Sequence, residues 1–158
     1  MMRPTSTLLL AALAAPLAVI ADPASYEDTV VSRQTAAVVK PTPCQPFNAT
    51  LDETVARFDD FACNFIYTQN ITGAFEYISE GYINHNPLAE NGFDSAWNIL
   101  SPIWADQNIT VWGTSFEPSP VPQGYLQYTS DFGTIVDRFR WENGCIAEHW
   151  DQNETFPG

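Results

Sequence analysis

The stretch Ile135 to Asp151 constrains the fold more than any other part of the chain. It reads as two strands around a tight turn, and Asn143-Gly144 is a strong short-range hairpin signal. Register matters, because a one-residue slip sends every side chain to the other face. A two-residue loop places Arg138 opposite His149 and Glu148 opposite Phe139. A three-residue loop, Glu142-Asn143-Gly144 with a left-handed Gly144, places Arg138 opposite Glu148, an opposite-charge cross-strand pair. It also sets Asp137 opposite His149 and Ile135 opposite Asp151, and this second register is the one expected. Two carboxylates and an imidazole then share one sheet face with Phe139 and Ala147. Such a face is costly in a dry core and sensible as the wall of a cavity. An open, solvated hairpin face remains the alternative.

The rest of the chain supplies partners for that hairpin. Thr50-Leu-Asp-Glu53 is a capping box that starts a helix. Leu51, Val55, Phe58, Ala62, Phe65, Ile66 and Gln69 recur on one face of it, with Cys63 on the flank. Asn70-Ile-Thr-Gly73 ends it, and Thr72 is expected to cap a short second helix through Phe75 and Ile78. Tyr82 to Asn86 reads as a short strand ended by Pro87. Asn91-Gly92 is a turn, and Phe93 to Trp104 a helix kinked at Pro102 or split there into two short helices. Strands follow over Asn108–Phe116, Tyr125–Thr129, Gly133–Trp141 and Cys145–Asp151. In the first, Ile109, Val111 and Ser115 alternate against Trp112 and Phe116. Glu117 to Gly124, with three prolines, is a loop. Helices first and an antiparallel sheet afterwards predict an α+β fold.

Composition narrows the partners. Acidic residues outnumber basic ones 19 to 6 in 158 residues, a net charge of −13. Phosphate backbones and anionic lipid surfaces would repel such a chain, so neither nucleic acid nor membrane is an expected partner. Residues 1–21 read as a signal peptide: Arg3, an apolar run from Leu8 to Ile20, and small residues before Asp22. The run is short for a bilayer span. Residues 22–46 read as a flexible, proline-containing arm, and 47–158 as the folded domain. Sequons at Asn48, Asn70, Asn108 and Asn153 agree with secretion and glycosylation. With Cys44, Cys63 and Cys145, an oxidising compartment allows one disulfide and one leftover thiol. Cys44–Cys145 is the expected pair, since the stiffened arm can reach the sheet while Cys63 suits a buried helical thiol. Cys63–Cys145 stays open as the competitor, because the pairing is not fixed by sequence.

Two motifs resemble a known family. "VDRFRWENGCIAEHWD" is similar to the closing strands of the SnoaL-like polyketide cyclases, within the nuclear transport factor 2 and ketosteroid isomerase superfamily. Tyr82-Ile-Asn-His-Asn-Pro87 resembles that family's Tyr-Ile-Gln-His-Asn-Pro pattern. The resemblance runs from about Leu51 to Asp151, and with the expected signal peptide and sequons it points to a secreted member of the family. It implies a strongly curved antiparallel sheet wrapped around the N-terminal helices, a cone with a cavity between them. It also implies an acidic residue in the last strand for aldol-type ring closure, for which Asp151 is the match, with no cofactor and no metal.

The chain's only two histidines, His85 and His149, each sit in one of these motifs. An imidazole near a carboxylate is the usual arrangement for moving protons near neutral pH, so Asp151, His149, Asp137 and His85 are the catalytic candidates. His85, His149 and Asp151 could also imitate a two-His, one-carboxylate metal site, but no ligand spacing supports it. Phe65, Trp97 and Trp104 are more often core than binding site; around a cavity they become walls for a small apolar, planar ligand. Three readings follow. One is a cofactor-free lyase or isomerase acting on a small apolar carbonyl compound. Another is a non-catalytic carrier using the same cavity. The third is an interaction module that forms a homodimer through an exposed sheet face.

Overall fold

The computed structural model describes residues 38–158. The expected signal peptide, and the arm as far as residue 37, lie outside them. The fold is α+β: short helices come first, and a five-stranded open sheet follows.

Helix α1, Leu51–Ala62, begins at the capping box. Thr50 accepts from the Glu53 amide, and Glu53 reaches back to the Thr50 amide at 2.8 Å. A π-helical turn, Cys63–Tyr67, continues it and is closed by the Thr68 amide on the Cys63 carbonyl at 2.9 Å. Phe58, Phe61, Ala62 and Phe65 fall on one face at ordinary helical spacing and are buried, and Ile66 in the π turn is buried with them. The expected stripe is corrected at its N-terminal end: Leu51 is exposed, and Phe61, outside the stripe, is fully buried. Cys63 is an exposed free thiol, not a buried one, because at helical spacing it lies on the side away from Phe58, Phe61 and Phe65. Helix α2, Ile71–Phe75, is capped by Asn70 and not by Thr72; the Asn70 side chain accepts from the Gly73 amide. Thr72 instead donates its hydroxyl to the Val39 carbonyl.

Strand β1, Ile78–Asn84, precedes α3, Phe93–Leu100, and a 3₁₀ turn, Trp104–Asp106. The segment splits at the proline: α3 ends at Leu100, Pro102 sits in the turn that follows, and the 3₁₀ turn begins at Trp104. Strands β2, Thr110–Glu117, β3, Gln123–Ser130, β4, Gly133–Glu142, and β5, Cys145–Trp150, form an antiparallel meander. The strand order is β1-β5-β4-β3-β2, and β1 runs parallel to β5. The sheet is therefore mixed, not purely antiparallel. The chain leaves β1 at one edge and enters β2 at the other, with α3 and the 3₁₀ turn carrying it across.

The hairpin register differs from both simple alternatives. Asn143 and Gly144 have φ of 49° and 74°, as a two-residue type I′ turn requires. Glu142 pairs with Cys145 and Trp141 with Ile146, but beyond an irregularity Arg140 pairs with Glu148, Phe139 with His149 and Arg138 with Trp150. The expected Arg138–Glu148 and Asp137–His149 oppositions are thus replaced. A bulge next to the turn adds one residue to β5 and shifts the ladder by one. Asp137 and His149 still share a face, now as diagonal neighbours. A second irregularity, between Val111 and Gly113, breaks the alternation expected in β2. Val111 and Phe116 consequently both pack on the core, while Trp112 is exposed.

The core joins the helices to one face of the sheet. Phe61 meets Phe139 edge-on at 4.8 Å and stacks with Phe65 at 5.3 Å. Phe58 lies against Gly124, where a Cβ would overlap its ring. Residues 38–49 are held in place by several contacts. Cys44 bridges to Ser79 of β1, and Lys40 pairs with Asp94 at 2.6 Å. The Cys44–Cys145 disulfide forms, with Cα atoms 5.8 Å apart.

Candidate functional site

β1, β3, β4 and β5 converge on a cavity of about 580 Å³ between the sheet and the helices. Its walls are mostly apolar, including Phe61, Phe65, Ile78, Leu100, Trp104 and Phe139. Trp104 stacks on Phe65 at 4.1 Å and donates its indole N–H to the Phe65 carbonyl at 2.6 Å, which fixes that wall. Tyr82, Asn84, Asn86, Tyr128, Asp137, His149 and Asp151 also line the cavity and supply its polar chemistry.

The buried chain of contacts runs from Tyr128 to Asn84. The Tyr128 hydroxyl donates to Asp137 Oδ2 at 2.8 Å, and Asp137 Oδ1 lies 2.9 Å from His149 Nε2. His149 Nδ1 faces Asn84 Oδ1 at 3.3 Å. The β1–β5 ladder places Asn84 beside His149 directly. Asn84 Oδ1 also accepts the Asn86 amide at 3.0 Å, so it is the amide oxygen that faces the ring. His149 Nδ1 must then carry a proton. The Nε2–Asp137 contact requires one more, held by either partner. Asp137 and His149 therefore share a proton, and neither imidazole nitrogen is free for a ligand. His149 is packed between rings, with Phe139 at 4.8 Å and Tyr82 at 6.3 Å, both near-parallel.

Asp151 lies just past β5 and is half-buried. One oxygen accepts a short hydrogen bond from Asn86 Nδ2. Asn86 is held in that orientation because its own Oδ1 accepts the Leu88 amide at 2.8 Å. The second oxygen meets only the exposed Gln152 side chain, at 3.2 Å. Asp137, His149 and Asp151 bring ligand atoms within 4.8 Å of one another. A cation there would have to displace the contacts of His149 with Asp137 and Asn84, which satisfy the ring without one. Burial first, then the charge of Asp137, raises the Tyr128 phenol well above its ordinary value; burial, then Asp137 and Asp151, does the same to Tyr82. Both stay neutral donors.

The fold separates the expected residues. It brings Asp137, His149 and Asp151 together with Phe65 and Trp104. His85 is outside the cavity: it stacks on Trp150 at 4.5 Å and pairs with Glu148 at 2.9 Å on the opposite sheet face. The alternation along the strand explains this, since His85 points opposite to its neighbours Asn84 and Asn86. It cannot join His149 and Asp151 on one metal. Trp97 packs against Phe75 at 5.1 Å in the core and is not a cavity wall. The sequence reasoning missed Tyr82, Asn84, Asn86 and Tyr128. Period two along Tyr82-x-Asn84-x-Asn86 carried the signal for three of them; Tyr128 depends on the β3–β4 register.

The four sequon asparagines are exposed. No helix among the described residues is long and apolar enough to cross a membrane. No protein-family model matches the sequence, and no curated protein matches it. Among solved structures, the fold is similar to TsrD from Streptomyces laurentii, with a TM-score of 0.47 and 16% identity over 66% of this chain and 90% of that one.

Proposed function

We propose that the protein is a secreted, cofactor-independent lyase or isomerase of the SnoaL-like kind, acting on a small apolar carbonyl compound in a cone-shaped fold. The observation that carries this reading is Asp151: a carboxylate at an apolar cavity, one oxygen tied to Asn86 and the other met only by an exposed glutamine. Asp137 and His149 are occupied by each other and by Tyr128 and Asn84. Asp151 is the group left to exchange a proton with a ligand.

In the proposed step, Asp151 takes a proton from the carbon next to the ligand carbonyl. The C–H electron pair becomes the C=C bond of an enolate, and the carbonyl pair moves to oxygen. Where the ligand carries a C=C one bond further on, the proton returns from Asp151 to the far end of the resulting dienolate and the ligand is isomerised. Where the enolate carbon attacks a second carbonyl of the ligand, a ring closes, that C=O pair moves to its oxygen, and the new alkoxide takes the proton back from Asp151. The Asp137–His149 pair, with its shared proton, stabilises the charge that develops beside it. The Cys44–Cys145 disulfide, the exposed sequons and the signal-peptide-like sequence of residues 1–21 support secretion.

Hydrogen–deuterium exchange next to the carbonyl of acetylnaphthalene, in heavy water, tests the chemistry before any substrate is found. The native protein accelerates that exchange, and Asp151→Asn lowers the acceleration by about a hundredfold or more while binding stays within about tenfold. Binding of the ketone without any exchange would make this cavity a carrier's.

A further inference from the structure

Asp151 is the first residue beyond β5, and no backbone hydrogen bond among the described residues ties 151–158 to the rest of the fold. Side chains hold this segment instead. Asp151 and Gln152 line the cavity. The chain then bends at Asn153, whose φ of 58° is a left-handed conformation that asparagine tolerates. Beyond the bend, Glu154 lies on the opposite sheet face and accepts two hydrogen bonds from Arg138, from Nε at 2.8 Å and Nη2 at 2.9 Å. Phe156 follows it and lies against Gly113 of β2, its ring 3.1 Å from where a Cβ would stand. Arg138 is itself immobilised. It pairs with Trp150 in the β4–β5 ladder, its guanidinium lies 3.9 Å over the Trp150 ring, and Nη1 donates to Gln123 at 2.7 Å. An exposed ion pair holds little, but the side chains of Arg138 and Glu154 are only 23% and 17% exposed. The paired contact of a carboxylate on a guanidinium also adds direction to attraction. Trp150 and Glu154 thus rest on the same guanidinium, and Asp151 lies in the short loop between them.

We propose that Arg138 and Glu154 are positioning residues for Asp151: from the far side of the sheet, the guanidinium clips both ends of the loop that carries it and sets where its free carboxylate oxygen stands in the cavity. This rests on the acid–base reading of Asp151 and adds the device that aims it. Removing a proton from carbon needs the carboxylate oxygen close to the C–H bond, and a displacement of about 1 Å costs about a hundredfold in rate. Neither Arg138 nor Glu154 lines the cavity, so they govern the placement of Asp151 and not the hold on the ligand.

The test reads position and chemistry separately in the full chain. The Asn86 side-chain amide donates to Asp151, so its proton resonance reports whether the carboxylate is in place, and Asp151→Ala gives the value without it. Glu154→Ala moves the Asn86 resonance toward that value. It also lowers deuterium exchange of saturating acetylnaphthalene by about tenfold to a hundredfold, with ketone affinity kept within about threefold. Glu154→Gln, which still accepts from Arg138, restores part of both, and either variant leaves the sequon at Asn153 intact. A native Asn86 resonance with native exchange in Glu154→Ala overturns the proposal. So does an exchange loss no larger than the loss of folded protein measured by chemical unfolding. Should Glu154→Ala fail to fold, Arg138→Lys is read in its place against the same outcomes, since it keeps the charge but not the paired contact. Failure of the acid–base reading looks different: no exchange in the native protein, with the Asn86 resonance still responding to Glu154→Ala.

Discussion

Asn84 and Asn86 point the same way from neighbouring alternate positions, and each fixes one member of the acid–base group. Asn84 accepts from His149, and Asn86 donates to Asp151. Neither titrates, yet together they decide which nitrogen carries a proton and which oxygen of Asp151 stays available. Asn84→Ala leaves the His149 Nδ1–H without an acceptor in a mostly buried position. The expected loss is about 1–3 kcal/mol of stability, read from denaturant midpoints. A drop in proton exchange at unchanged ketone binding accompanies it, because the ring is free to turn away from Asp137. An Asn84→Ala protein with native stability and native exchange would show that Asn84 does not orient the ring.

At the scale of elements, the β4–β5 hairpin decides where the chemistry points. Its I′ turn needs positive φ at two successive residues, which Asn143 tolerates and Gly144 adopts freely. A Cβ at Gly144 would also overlap the Phe47 ring, and its carbonyl accepts from Arg57, itself 4.7 Å over the Tyr77 ring. Gly144→Ala is therefore expected to cost about 2–3 kcal/mol by thermal or chemical unfolding, through strain and displaced packing. A loss under half that would mean the turn relaxes freely. On the outer face, Glu148 is held below the ordinary carboxylate value: burial raises it, but hydrogen bonds from His85 and Arg140 outweigh that. A depressed folded pKa stabilises above the unfolded value and is lost as pH falls through the folded one. Acid should thus loosen β5 from β1, and Glu148→Gln should flatten this acid limb. An unaltered limb would remove Glu148 from the account.

For the whole molecule, the Cys44–Cys145 bridge spans a sequence separation of 101 and ties the stretch before α1 to the last hairpin. Closing so long a loop restricts the unfolded chain by about 4–5 kcal/mol in the chain-entropy treatment. Cys44→Ser together with Cys145→Ser is expected to lower stability by a comparable amount, while the free thiol count rises only on reducing the native protein. Alkaline stability has its own signature. Tyr82 and Tyr128 are raised above 10.0 in the folded state, by burial first and Asp137 second. The unfolded chain loses those protons first. Stability is present below about pH 10 and falls as pH rises through the folded values. In an alkaline titration, this pair should ionise only as the fold opens. Ionisation of every tyrosine before secondary structure is lost would contradict that order.

Local chemistry in the sequence determined a good deal. The Thr50–Glu53 capping box, the Asn143-Gly144 turn, the proline loop before β3 and the break at Pro102 depend on neighbouring residues alone, and each lies where the chain predicts it. The shared face of Asp137 and His149 followed from the alternation of a hairpin, and the Cys44–Cys145 pair was expected from the reach of the arm before α1. Tertiary structure decided the rest. The bulge in β5 moved Arg138 from Glu148 to Trp150, and the one in β2 turned both Val111 and Phe116 inward. His85 went to the outer face and Tyr128 to the site. In each case the physical reason is the same. A one-residue shift in a ladder adds little local signal, because either register satisfies the backbone hydrogen bonds. Only packing across the sheet, between residues far apart in sequence, tells the two apart.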